Sequence, residues 1–377
     1  MTRMTQIKQT LAELVRIDSV SVRSNAEIVE YLERRCAQMN LVTQRFPYLD
    51  DFGVEKFNLV ALSSATTAVE LALVGHTDTV PYDPNWTEAT NLTERDGKLY
   101  GRGACDTKGF IAAALTALET IELSQLKKPL ALIFTADEEI GLRGAKKLAE
   151  AKPLRVRYSI VGEPTSLKPI RAGKGYSLAE VIVAGREAHS AYPALGASAV
   201  FRAARLINRL EQIAAQLKEE QHGAFDPPYT TLNVGLIKGG SAKNVLAGEC
   251  RFTLEWRPIP TQSSEHVLKL FTDAIEAESE IDPGIYCEID ASRQDTGFET
   301  APDSPLIKLL ERATGNESGT VAFGTEAAQM MALGAESVVI GPGDIREAHR
   351  TGEFVPVVEL ERCAEILKEA IERLCKS

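Results

Sequence analysis

The sequence predicts an α/β fold: a domain with a mixed sheet flanked by helices, plus an inserted α+β domain of ferredoxin-like order. Three observations carry this expectation. Short, nearly continuous apolar runs alternate with helix-spaced segments up to about residue 172. A complete β-α-β-β-α-β succession occupies about 173–291. The chain then returns to helix, strand and terminal helix over 292–377. Apolar strands separated by helices suit a sheet covered on both faces, and the middle succession is the split βαβ order.

The elements follow in turn. Ile7, Leu11, Leu14 and Val15 fall at helical spacing with charges between them, so 7–17 reads as an amphipathic helix. It is not expected to be a signal peptide, lacking a continuous apolar core and a small-residue cleavage site. Further helices are expected at 26–38, 109–120 and 142–151, with strands at 58–61, 71–74, 130–135 and 159–161. Past Gly173-Lys174-Gly175 the pattern changes. Residues 176–183 alternate as a strand, 197–218 form a long helix without proline or glycine, and 230–237 and 249–257 are strands joined through Gly239-Gly240. A helix at 265–278 and a strand at 286–291 complete the inserted unit; 304–314, 337–340 and 357–375 are helix, strand and helix.

A chain of 377 residues has room for two or three domains of ~150 residues each. Its formal charge, 42 − 53 = −11, argues against a nucleic-acid or anionic membrane surface. No apolar stretch nears the ~18 residues of a membrane span, and a cytoplasmic location is expected. The six cysteines form no CxxC pair and read as reduced core fillers.

Side chains able to bind metal stand where apolar runs end. His76 and Asp78 follow 71–74; Asp137, Glu138 and Glu139 follow 131–135; Glu163 follows 158–161 and precedes Pro164. Asp106 lies in the glycine-rich GRGACDTKG, and His349 follows a Gly-Pro-Gly turn after 338–340. Ligands of open α/β sheets sit outside the carboxyl ends of strands. Imidazole and carboxylate donors without cysteine suit zinc or a neighbouring divalent ion, and such ions activate water for hydrolysis. Singly, each residue has an ordinary alternative. His76 and Asp78 merely end a strand; Asp106 caps the helix near Gly109; Glu163, His349 and His189 are surface residues. Only the abrupt step from an apolar run into three acids favours chemistry by itself, one carboxylate binding metal and its neighbour moving a proton. His222 and His266 are assigned no role.

Taken together, GHTDTVP, GRGACDTKGF, TADEEIG and GEPTSL, in this order, resemble the M20 family of dinuclear zinc peptidases and amidohydrolases over nearly the whole chain. The resemblance implies two Zn2+ ions, with Co2+ or Mn2+ as substitutes. His76, Asp106 and Glu163 would hold one; Asp106, Glu139 and His349 the other. Asp78 would support His76, and Glu138 would be the general acid/base. The peptide bond Asp106–Thr107 would be cis. The inserted domain would be a lid or dimerisation domain of a homodimer, with His189 reaching the partner's site to contact the tetrahedral oxygen, Asn244 near substrate and Arg257 on its carboxylate. The expected reaction is hydrolysis of the N-acyl bond of a small acylated amino acid, with N2-acetyl-L-ornithine, as in arginine biosynthesis, the leading substrate and Glu326 matched to its ammonium by charge. Succinyl-diaminopimelate, other acyl-amino acids and dipeptides are alternatives. A non-catalytic metal-bound protein is disfavoured, because every ligand position and Glu138 are filled. Three positions depart from the pattern: Glu255 for an aspartate, Gly173 for a histidine and Gly324 for a cysteine.

Overall fold

The computed structural model describes residues 3–376, and the chain divides into two compact units. The larger runs up to Arg171 and takes in Thr300–Gly319 and the chain from Thr325 onward; the smaller is Ala172–Glu299 with Thr320–Gly324.

The larger unit begins α1 (Arg3–Arg16), α2 (Ala26–Gln38), β1 (Val42–Leu49), β2 (Glu55–Leu62), β3 (Ala68–His76), β4 (Thr93–Arg95), β5 (Lys98–Tyr100), α3 (Lys108–Glu119), β6 (Leu130–Thr135), α4 (Arg143–Ala151) and β7 (Arg155–Val161), and the chain leaves it within β8 (Ile170–Gly173). The smaller unit supplies β9 (Tyr176–Ala184), α5 (Ala199–Gln216), β10 (Thr231–Gly239), β11 (Glu249–Arg257), α6 (His266–Ile281), β12 (Tyr286–Asp295) and β13 (Phe298–Glu299). The chain ends with α7 (Pro305–Thr314), β14 (Gly319–Val321), α8 (Ala327–Ala332), β15 (Glu336–Val339), β16 (Phe354–Pro356) and α9 (Val357–Cys375).

The fold is mixed α/β. In the larger unit the sheet runs β1-β2-β6-β3-β7-β15-β8. Its centre is parallel: Val74 pairs with Ile133 on one side and Val161 on the other, and Val339 pairs with Val161. β1, β2 and β8 are antiparallel additions. Strands β6, β3, β7 and β15 therefore end on one edge. They are apolar because helices cover them: every residue of β6 is buried, and α3, rich in alanine, is buried from Lys108 to Leu118 and packs against α1 and α9. The sequence reading lacked β1, whose alternation never reaches burial and which carries Pro47, as an edge strand can. It also lacked the short β4, β5 and β16, which form their own sheet, and the six-residue α8.

The smaller unit has an antiparallel sheet in the order β10-β11-β9-β12. Leu206 and Leu210 of α5 and Phe271 of α6 join Phe252 and Trp256 in its core. Ser198 caps α5, its side chain accepting from the Phe201 N–H. β12 runs past 291 to Asp295, which pairs with Tyr176. β10 is an edge strand and exposes Leu236 and Ile237. Among the described residues no helix is long and apolar enough to cross a membrane.

Candidate metal centre

Each parallel strand delivers its residues to the same edge. His76 is the last residue of β3 and is buried. β6 passes through Ala136 and Asp137 into the turn bearing Glu138 and Glu139; β7 leads through Gly162 to Glu163; and the segment after β15 reaches His349. Gly162 has a steric reason: a Cβ there would lie 2.2 Å from the Phe110 ring of α3. Asp106 comes from the loop between β5 and α3. It does not cap that helix, whose N-cap is Thr107; the Thr107 hydroxyl instead donates to the Gly162 carbonyl at 3.1 Å. The Asp106–Thr107 peptide is cis.

Asp106 stands between two imidazoles. Its Oδ1 is 3.0 Å from His76 Nε2 and its Oδ2 3.1 Å from His349 Nε2. His349 Nε2 is also 3.0 Å from Glu139 Oε2. One ligand atom each from His76, Asp106 and Glu139 lies within 4.8 Å of the others. Glu163 is buried and within electrostatic reach of Asp106, Glu138 and His76. A carboxylate whose two oxygens address two separate imidazoles is the arrangement a bridging ligand requires.

His76 is oriented from behind. Its Nδ1 lies 3.0 Å from the backbone carbonyl of Asp78 and 3.6 Å from the Asp78 carboxylate. The carbonyl is therefore the nearer partner, and an Nδ1–H donating to it leaves Nε2 free to bind a cation. The Asp78 carboxylate accepts from Ser21 Oγ at 2.7 Å and from the backbone N–H groups of Glu138 and Glu139 at 3.1 and 3.3 Å. It thus fixes the turn that carries both glutamates.

Sequence reasoning missed Glu353, which is fully buried. Its carboxylate accepts from Arg102 Nη1 at 2.5 Å and from the backbone N–H groups of Gly103, Cys105 and Asp106 at 3.1, 2.9 and 3.0 Å. The loop that presents Asp106 is thereby gripped by a residue four positions after His349. The available signal was slight: a glutamate ending the polar stretch before the apolar Phe354-Val355.

The electrostatics call for a cation. Withdrawal from water is the largest cause raising Glu138, Glu139 and Glu163, and neighbouring carboxylates add to it. Burial also pushes Asp106 up, but hydrogen bonds from His349 and His76 outweigh it and hold it low. His349 is raised to about 10 by Asp106 and then Glu139. Burial opposes charge on His76, yet the carboxylates of Asp106 and Asp78 prevail and raise it well above its usual value. Among the described residues no lysine or arginine forms an ion pair with these four carboxylates; the histidines pair with Asp106 and Glu139 alone. A divalent ion would replace the shared protons and draw the raised carboxylates and imidazoles down, keeping Asp106 low, and the donor set of imidazole and carboxylate fits one.

Glu326 belongs to the same unit. It is buried, neither carboxylate oxygen has a hydrogen-bond partner of ordinary length among the described residues, and burial raises it to about 7. His189, Asn244 and Arg257 lie in the smaller unit. There the His189 and Asn244 loops run together: Ser190 N–H donates to the Asn244 carbonyl at 3.0 Å, and His189 bridges to Val245. Arg257 donates to Glu255 at 2.8 Å and stacks 4.0 Å above the Tyr176 ring.

Comparison with known proteins agrees with this chemistry. Residues 72–373 match the family described as peptidase family M20/M25/M40. An acetylornithine deacetylase of Myxococcus xanthus is 52% identical over 372 residues, 98% of this chain and 97% of that protein. An acetylornithine deacetylase of Salmonella arizonae is 39% identical over 323 residues, 85% of this chain and 84% of the other. Among solved structures, a tripeptidase from Staphylococcus aureus superposes with a TM-score of 0.77 at 24% identity, covering 99% of both chains, which shows a shared fold.

Proposed function

The chain belongs to peptidase family M20/M25/M40, and we propose that within it the chain hydrolyses N2-acetyl-L-ornithine to L-ornithine and acetate. The observation that carries the reading is the Asp106 carboxylate between His76 and His349, joined to 52% identity with an acetylornithine deacetylase over 98% of this chain. His76, Asp106 and Glu163 would hold one divalent ion, and Asp106, Glu139 and His349 a second; zinc is the proposed metal, with Co2+ or Mn2+ as substitutes. Such ions supply Lewis acidity to the amide carbonyl and lower the pKa of water towards ~7.

Glu138 then carries the proton. Its carboxylate, raised by withdrawal from water, accepts a proton from the attacking water and returns it to the leaving amine nitrogen. Asp78 keeps that turn in place through the two amides it binds. In the smaller unit, Arg257 would bind the substrate α-carboxylate through its guanidinium fork. Asn244 would lie near the substrate, and His189 would reach the partner subunit's site and stabilise the oxyanion there. Glu326 is assigned the ornithine ammonium by charge, because it is a buried carboxylate with no hydrogen-bond partner of ordinary length among the described residues.

The inserted unit is proposed as a lid and homodimer surface, a reading supported by its exposed edge strand with Leu236 and Ile237 and by exposed Phe201. A cytoplasmic location goes with a biosynthetic role in making arginine. Sedimentation of the metal-loaded protein is expected to give a dimer; a fully active monomer would overturn the assignment of His189 across an interface.

The deciding experiment is a panel of N2-acetyl-L-ornithine, N-acetyl-methionine, succinyl-diaminopimelate and a dipeptide on zinc-reconstituted protein. Acetylornithine is expected to exceed each of the others in kcat/KM by about 10-fold or more. Failure to release amine from any member would overturn the reading. Chelation should abolish turnover, and added zinc should restore it; full activity after complete demetallation would contradict the metal assignment.

A further inference from the structure

The turn carrying Glu138 and Glu139 starts at Asp137, whose backbone sits in the left-handed region at φ 54°, where a non-glycine residue is uncommon. Two side chains hold it there. Lys56 Nζ donates to Asp137 Oδ1 at 2.9 Å, and the Tyr48 hydroxyl donates to Oδ2 at 2.8 Å. The Lys56 and Asp137 side chains are each 1% exposed, so this is an interior ion pair and not a surface one.

Lys56 does more than neutralise Asp137. Its ammonium also donates to the backbone carbonyls of Ser21 and Arg23. The Ser21 hydroxyl in turn donates to Asp78 Oδ2, and Asp78 accepts the Glu138 and Glu139 amides. The turn is thus gripped twice, at its first residue through Asp137 and at the next two through Asp78, and both grips converge on Ser21. An apolar pair of similar volume would stabilise the interior as well or better. What the charged pair adds is a directed hold on one turn.

We propose that Lys56, acting with Asp137 and Tyr48, is a positioning residue for hydrolysis, setting where the Glu138 and Glu139 carboxylates stand without touching substrate. The proposal rests on the roles given above to Glu138 and Glu139.

The test compares wild type with K56M/D137N, which removes the paired charges together, and with Y48F; Asp50, 3.9 Å from Lys56 Nζ, keeps the backbone N–H groups of Phe52 and Val54 in the double variant. Folding is followed by cooperative thermal unfolding, the metal centre by the visible spectrum of the cobalt-substituted protein, and turnover on acetylornithine by separate kcat and KM. In folded K56M/D137N, kcat is expected to fall by about 10- to 100-fold, the scale of a ~1 Å misplacement, with KM changed by less than about 3-fold and an altered cobalt spectrum. A folded double variant with the wild-type cobalt spectrum and wild-type kcat would overturn the proposal. Should the double variant not fold, Y48F decides: a fall in kcat of about 3- to 10-fold with a shifted cobalt spectrum supports it, and wild-type values of both overturn it. If wild type itself failed to turn over acetylornithine, the proposed substrate would fall, while the spectral comparison would still judge Lys56.

Discussion

Glu138→Gln is expected to lower kcat by about 10²- to 10⁴-fold, the usual contribution of a positioned general base, while metal content stays at the wild-type level. Glutamine keeps the size and polarity of the side chain but cannot accept the proton. None of the close contacts joining His76, Asp106, Glu139 and His349 involves the Glu138 side chain, so the ligands should remain in place. The Asp78 grip on the turn is made to the Glu138 amide and survives the change. Turnover on acetylornithine and elemental analysis of the purified variant check the two halves separately. Near-normal kcat would remove Glu138 from its role, and loss of metal would show that it binds the ions directly.

Glu353→Ala should be the most damaging substitution away from the ligands. It strands Arg102, whose side chain is 5% exposed, and frees three backbone N–H groups of the loop that presents Asp106. Removing one partner of a buried ion pair costs about 3–5 kcal/mol, and orphaned buried amides add to that. Urea unfolding of the metal-free protein is the appropriate measurement, since bound metal would mask part of the loss by mass action. A change below about 1 kcal/mol, no more than a surface pair contributes, would mean that the loop is held by something other than Glu353. Glu353→Gln, which keeps acceptor capacity for part of the loop, should be the milder variant.

The two substitutions bear on what a sequence can disclose. Apolar runs ending in acids and imidazoles are local signals, and they placed His76, Glu138, Glu139 and Glu163 on one edge because parallel strands share their carboxyl ends. Asp106 was ambiguous for a physical reason: an aspartate before a helix is an ordinary cap, and only the fold shows that Thr107 takes the cap position. Taken alone, His349 reads as a surface histidine, and its side chain is 50% exposed; exposure does not bar a histidine from facing the Asp106 and Glu139 carboxylates. Glu353 and Lys56 were invisible because their burial is created by partners far away in the chain. Glu353 meets residues 247–251 positions distant, and Lys56 meets Asp137 81 positions on. A charged residue in a polar stretch carries no mark of an interior position. The polar alternation of β1, for its part, resembles a loop until its pairing with β2 is known.

Asp106 is proposed to be held in common by two metal ions. Anomalous scattering at the zinc edge, from crystals of the zinc-reconstituted protein, tests it most directly. Two peaks ~3.5–4 Å apart are expected, one flanked by His76 and Glu163 and the other by Glu139 and His349, with Asp106 between them. A single peak, or none within this cluster, would contradict it.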